Sequence, residues 1–329
     1  MKKVLFATTA LVATAGVAAA DVTFGGYGRF GLQHQENRIN ANTGAVLDDT
    51  IIESRFRLNI DASTESDAGV TFGARVRIQA DENSDGSANQ AVFNGARFHA
   101  ETGGFRLEVG NIAHALDNLA NYYGYEPGLI GAVGQYANYS GPVAGYSSTG
   151  AGVNGVSAIY SMGDFRGQLS YSSDNDGNFA AATGVGTPAF VAATGTGGDV
   201  LSASVAYTFS GWTVALGYEE IKDDDGITEN DGTVLTVGGS LGVADVALFI
   251  GDDKFEGTSY GVSGSFDVGA STKILASVSG GGDDVTTTKK SSYGIGFDHD
   301  LGGGVALRGM VGRNTGDQTV ADLGVIFNF

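Results

Sequence analysis

The chain has 329 residues, with 37 Asp and Glu against 18 Lys and Arg, 54 glycines, three prolines and no cysteine. The lack of cysteine excludes a disulfide-braced domain, and so much glycine argues against long helices. A net charge of −19 disfavours a nucleic-acid partner, whose phosphates it would repel.

Residues 1–20 read as a cleaved secretory signal. Lys2 and Lys3 form its positive end, Val4 to Val17 is mostly apolar, and Ala18-Ala19-Ala20 fits the small-residue cleavage pattern. The apolar run is shorter than the roughly 20 residues of a spanning helix. Removing two lysines and no acid leaves a mature charge of 16 − 37 = −21.

From Asp21 onward the pattern has a period of two, the signature of strands. The first strand is predicted near 21–36. The second and third, near 50–64 and 69–81, form a hairpin around Glu65–Gly69. Its one face carries Ile52, Phe56, Leu58, Ile60, Phe72, Val76 and Ile78. The other carries Glu53, Arg55, Arg57, Asn59, Arg75, Arg77 and Gln79. Further strands are predicted near 91–102, 104–112, 153–162, 164–173, 199–209, 212–222, 232–241, 243–252, 257–267, 270–281, 289–300, 303–313 and 318–329.

Every second connection is tight, as at Gly103-Gly104, Gly163-Asp164, Ser210-Gly211, Gly242-Val243, Val268-Gly269 and Gly302-Gly303. Those between, such as 37–49, 82–90, 113–152, 174–198 and 223–231, are mostly longer and often acidic. Short turns on one side, long loops on the other and an even strand count predict an all-β fold: a transmembrane antiparallel β-barrel of about 16 strands. Residues 21–329 then form a single domain in the cell outer membrane of a Gram-negative bacterium. One strand face is apolar, as in Leu201, Val205, Tyr207 and Phe209 or Leu323, Val325, Phe327 and Phe329, while Ser202, Ser204, Thr208, Asp322 and Asn328 lie opposite. Aromatics gather at the tight turns as a membrane-interface girdle does (Phe105, Phe165, Phe209, Trp212, Phe266). A soluble β-sandwich shares the alternation, but not the loop-length asymmetry or the signal segment. A barrel of this size leaves an aqueous channel lined by the polar face.

Period two turns Arg29, Arg55, Arg57, Arg75, Arg77, Arg97 and Arg106 into that channel. Six of them fall on consecutive strands, which predicts one basic wall at similar height. Arginine stays charged at accessible pH, so the wall needs counter-charges; Glu53, Glu101 and Glu108 lie on the same strands. Acids such as Asp48, Asp49, Asp81, Asp85, Asp223, Asp224, Asp225, Asp252 and Asp253 sit in the long connections and make a cation-attracting mouth.

Other motifs are weaker. Gly26-Tyr27-Gly28-Arg29-Phe30-Gly31 matches GxGxxG but lies within a strand, so it is no dinucleotide turn. Asp81, Asn83 and Asp85 begin a calcium-loop pattern whose twelfth position is Val92, not glutamate. They remain candidate ligands for a Ca2+ ion held more loosely; no other cofactor is implied. His34, His99, His114 and His299 show neither triad nor metal-ligand spacing. An outer-membrane hydrolase, or a structural or adhesive barrel without transport, are the alternatives to a pore.

The whole mature chain resembles the trimeric general-diffusion porins of Gram-negative bacteria, and especially the Rhodobacter-like porins of α-proteobacteria. The resemblance rests on the opening Asp21-Val22-Thr23-Phe24-Gly25-Gly26-Tyr27-Gly28-Arg29-Phe30, the Gly110-Asn111 strand end, the long connection after it, and the terminal Phe327-Asn328-Phe329. It implies a homotrimer that passes small hydrophilic solutes and ions by passive diffusion. It also implies contacts with outer-membrane lipid and lipopolysaccharide, and a barrel-assembly machinery that reads Phe329. In that family the third loop folds inward and narrows the pore. Here that is 113–152, which would set Asp117 and Glu126 opposite the arginines. The enterobacterial Pro-Glu-Phe-Gly-Gly motif is absent; Glu126-Pro127-Gly128 is a loose echo.

Overall fold

A computed structural model of the chain describes residues 20–40, 44–83, 85–173, 198–223, 229–254, 256–282 and 290–329. The expected signal segment, apart from Ala20, lies outside them, as do the connection 174–197 and Asp224 and Asp225. The strand segments are β1 (Asp21–Gln35), β2 (Thr50–Glu65), β3 (Thr71–Asp81), β4 (Val92–Phe93), β5 (Arg97–Thr102) and β6 (Phe105–Gly110). They continue as β7 (Gly155–Met162), β8 (Phe165–Ser172), β9 (Gly198–Phe209), β10 (Trp212–Asp223), β11 (Glu229–Ser240) and β12 (Ala244–Asp253). The last are β13 (Gly257–Asp267), β14 (Thr272–Gly281), β15 (Ser292–Gly302), β16 (Val305–Arg313) and β17 (Thr319–Asn328).

All belong to one antiparallel sheet, closed on itself because β1 pairs with both β2 and β17. β4 and β5 both pair with β3, so 17 segments fill 16 barrel positions. Two-residue turns join many neighbours. Gly103 and Gly104 have φ of 55° and 81°, the left-handed pair that matches strand twist in a tight hairpin. Most large apolar side chains of the strands face outward: Phe24 is 65% exposed and Phe209 70%. In water such a surface would aggregate; here it meets lipid.

The strand expected over 91–102 is broken at Asn94–Ala96. The return end of the long loop takes its hydrogen bonds there: Gly95 N donates to Gly150 O (2.8 Å), and Asn94 forms a parallel bridge with Gly150. On the other side, Asn111 N donates to Ala96 O (3.0 Å).

The connection 111–154 has neither helix nor strand and runs inside the barrel. Its first limb packs Leu116, Leu119 and Tyr122 on Ala215, Val234 and Phe249 of β10, β11 and β12. Farther round, Ala132 and Val133 pack on Met310 and Val320 of β16 and β17. The backbone approaches the wall so closely at Gly261 of β13 that a Cβ there would overlap the Gln135 carbonyl. The inner serines expected to line water instead dock this loop. Ser170 and Ser202 each accept from a loop amide, Ala115 N and Leu116 N, at 3.1 Å, and Ser263 accepts from Tyr125 N at 2.8 Å. Asp322 accepts from Leu129 N and Ile130 N (2.8 and 3.2 Å). The loop therefore packs along the β8–β17 side of the lumen and reaches the β1–β6 side at fewer points, through Leu129, Tyr146 and Ser148.

Candidate functional site

The less covered side carries the arginines, and β2–β3 register arranges four of them as a ladder. Successive cross-strand pairs are Arg55–Asp81, Arg57–Gln79, Asn59–Arg77 and Asp61–Arg75. The outer rungs are ion pairs: Arg55 binds Asp81, and Arg75 binds Asp61 at 2.6 Å. The inner rungs are neutral: Arg57 Nε donates to Gln79 at 2.5 Å and Arg77 Nε to Asn59 at 2.8 Å. Both inner guanidiniums also reach the loop at Ser148 Oγ, Arg57 Nη2 at 3.3 Å and Arg77 Nη1 at 2.7 Å. The Tyr146 ring lies 4.7 Å from the Arg77 guanidinium and 4.8 Å from that of Arg97, and Tyr27 lies 5.1 Å from Arg57. Such faces attract cations without neutralising them.

The other expected wall members are also placed. Arg29 pairs with buried Glu53 (2.5 Å) and donates to Leu129 O (3.1 Å). Arg97 stands opposite Arg75 and 3.7 Å from Glu108. Arg106 continues the row beyond Arg97, with which it shares Glu108. It lies opposite Glu101. It is held by Glu101 and Glu108 at 2.9 and 2.8 Å.

The loop acids take other partners than the wall. Asp117 accepts from Tyr123 Oη (2.5 Å) and Tyr146 N (3.2 Å), and Glu126 from Tyr136 Oη. Neither forms an ion pair with a wall arginine among the described residues. Burial pushes both carboxyls upward, opposed at Asp117 by Tyr123, Tyr146 and, at longer range, Arg97. The counter-charges of the wall are thus strand acids, with Asp61 and Asp81 added to the three expected.

The candidate calcium ligands are engaged separately. Asp81 holds Arg55 and Gln79, Asn83 donates to Ser87 and Ala88 O, and Asp85 caps Ser87. Among the described residues no three acids or histidines gather as a metal site would require.

His114, which has no triad spacing in sequence, has a serine on each ring nitrogen, Ser170 and Ser172, both at 3.1 Å. It is fully buried and has no carboxylate partner among the described residues, so it anchors the root of the loop. Burial pulls its pKa from 6.5 to about 4. Folding around a neutral imidazole therefore contributes stability that is complete above pH 6.5 and declines as pH falls towards 4. Asp117, shifted upward, has the opposite slope, so the informative quantity is a difference between variants. Hydrogen-exchange protection factors in the 112–120 segment, with rates corrected for the intrinsic pH dependence of amide exchange, are expected to fall between pH 6.5 and 4 in the parent, and less so in His114→Gln. An identical pH profile in both would remove His114 as the anchor.

These residues can be set beside known proteins. A family model described as Gram-negative porin matches residues 7–319. A porin of Fuscovulum blasticum is 33% identical over 322 residues, covering 94% of this chain and 100% of the relative. A porin of Rhodobacter capsulatus is 25% identical over 313 residues, covering 86% and 95% respectively. Among solved structures, a mutant of Rh. blastica porin superposes with a TM-score of 0.75 at 29% identity, covering 94% of this chain and all of that one.

Proposed function

The chain belongs to the Gram-negative porins, and from that premise we propose that its narrowest passage runs between the arginine wall and the docked loop. The barrel is an outer-membrane channel for passive diffusion of small hydrophilic solutes. Its relatives point to a channel rather than an enzyme.

The eyelet reading rests on one observation above others: Tyr146 and Ser148 of the loop come down on the middle of the ladder. Arg29, Arg55, Arg57, Arg75, Arg77 and Arg97 then line one side, with Asp117 and Glu126 on the loop. A unit charge about 10 Å from an ion's path is worth about 0.4 kcal/mol in water, about twofold in permeability ratio. Arg75→Ala or Arg77→Ala is therefore expected to shift the reversal potential towards cations by about that factor or more, since removing Arg75 also frees Asp61. Asp117→Asn or Glu126→Gln should move it towards anions. Reversal potentials equal to the parent's in all four variants would mean that these charges do not border the ion path.

The relatives support an oligomer, and a homotrimer is the form we propose. Phe24, Phe56, Phe72 and Phe98, all 45–65% exposed on β1 to β5, are bulky enough to pack between barrels. A single monomer mass after mild cross-linking in membranes would exclude it. Contacts with lipopolysaccharide, and with a barrel-assembly machinery through Phe329, belong to the same proposal.

A further inference from the structure

We propose that the two inner rungs of the ladder form a binding point for the oxyanion of a small solute, a carboxylate or a phosphate, so that such solutes pause in the channel while neutral ones do not. The inference rests on the eyelet reading above and adds a ligand class to it.

The first support is the distribution of charge. Each outer rung contains its own acid, whereas Arg57 and Arg77 face amides, Gln79 and Asn59. Among the described residues no carboxylate lies within ion-pair distance of either. Two adjacent guanidiniums without counter-ions repel each other, and a mobile anion is what relieves that repulsion.

The second support is geometric. Both guanidiniums converge on a single neutral oxygen, Ser148 Oγ, at 3.3 and 2.7 Å. A hydroxyl that accepts from two arginines occupies the place of a bridging carboxylate or phosphate oxygen. An anionic oxygen there would add the attraction of opposite charges to hydrogen bonds that two cations already donate. Donors also remain for more than one ligand oxygen. Arg57 uses Nε and Nη2, Arg77 uses Nε and Nη1, and the third nitrogen of each has no protein partner among the described residues.

The third support is preorganisation. Tyr27 and Tyr146 cover guanidinium faces and leave the edges for hydrogen bonding. Ser147, next to Ser148, is fixed because its carbonyl accepts from Asn94 Nδ2 (2.6 Å) and Asn111 Nδ2 (2.9 Å). Arg57, Arg77 and Ser148 are only half-buried, so a solute can reach them.

The test uses the whole protein in planar bilayers of KCl, titrated separately with inorganic phosphate and with acetate. Saturable reduction of the chloride-carried current by either probe is expected in the parent. Arg57→Gln and Arg77→Gln should each weaken it about tenfold or more, the loss of one charged hydrogen bond. Ser148→Asp, which supplies the anion from the protein itself, should abolish it. Arg308→Gln, on β16 and paired with Asp298 (2.8 Å) away from the ladder, should retain it. Block that persists unchanged in Arg57→Gln and Arg77→Gln overturns the proposal. So does the absence of block in the parent; if neutral-sugar flux into liposomes still changes in the two variants, the eyelet reading survives that failure. If the variants alter neither sugar flux nor current, the eyelet reading fails as well.

Discussion

Phe249→Ala is expected to give a larger and noisier single-channel current from a barrel that is still closed. Phe249 lies on the inner face of β12 and is 1% exposed because the loop covers it. The Tyr122 and Tyr139 rings meet it edge-on, with centroids 5.3 and 5.7 Å away. Truncating a buried phenylalanine costs about 3–5 kcal/mol. That cost falls on docking rather than on the barrel, since in an undocked loop the same ring would face water. A change of this size shifts the docking equilibrium by more than about a hundredfold. Contacts at Asp322 and around Met310 hold the far limb, so 116–122 should loosen first. Conductance together with limited proteolysis of the loop would decide it. Parent conductance with an equally protected loop would show that the aromatic contact is not what holds the loop to the wall.

Phe329→Asp should sharply reduce the folded protein recovered from outer membranes. Phe329 sits on the closing seam: Gly26 N donates to its carbonyl (2.9 Å) and its own N–H to Gly26 O (3.1 Å). Its ring stacks on Phe56 of β2 at 5.8 Å and tilts against Phe327 at 6.3 Å. The two ring pairs are worth about 1–3 kcal/mol beyond burial. The stack bridges β17 to β2 across β1, so its loss weakens closure where the first and last strands meet. The heat-modifiable band on a gel measures the folded form. If Phe329→Asp and Phe329→Tyr both match the parent, the ring serves neither closure nor recognition by an assembly machinery. Full recovery with Tyr and loss with Asp is the result expected of an aromatic requirement.

Most of the wall was legible because period two depends only on backbone geometry. Arg55, Arg57, Arg75 and Arg77 alternate with Phe56 and Val76, and no packing detail changes which way they point. The ladder was latent in the sequence as well. The run Arg55 to Asp61 read against Arg75 to Asp81 gives the four rungs once the hairpin register is known. The loop was less legible because it follows no period. Its docking residues look like ordinary lumen positions: Val234 and Phe249 break an otherwise polar face, and Ser170 and Ser202 suit water as well as an amide. The break at Asn94–Ala96 was hidden for a related reason, since Val92, Phe93 and Phe98 satisfy strand preference while the hydrogen bonds that interrupt them come from Gly150, over fifty residues away. The partners of Asp117 and Glu126 are tyrosines of the loop itself, a pairing set by loop packing and not by spacing.

The interruption in the wall also gives the inserted segment a fixed socket. Asn111 and Ser147 are tied to each other through Asn111 Nδ2 and Oδ1, at 2.9 and 3.2 Å, and the strand ends around them are held by Ala96 and Gly150. The stretch between leaves and re-enters the wall at nearly one place, like a cartridge seated in a holder. Its two entry points do not contribute to the register of the other strands. The bore can therefore be exchanged by replacing 112–146 as a unit, while the pairing that closes the cylinder stays as it is. Over evolutionary time, the same separation lets what the channel admits change faster than how the channel folds.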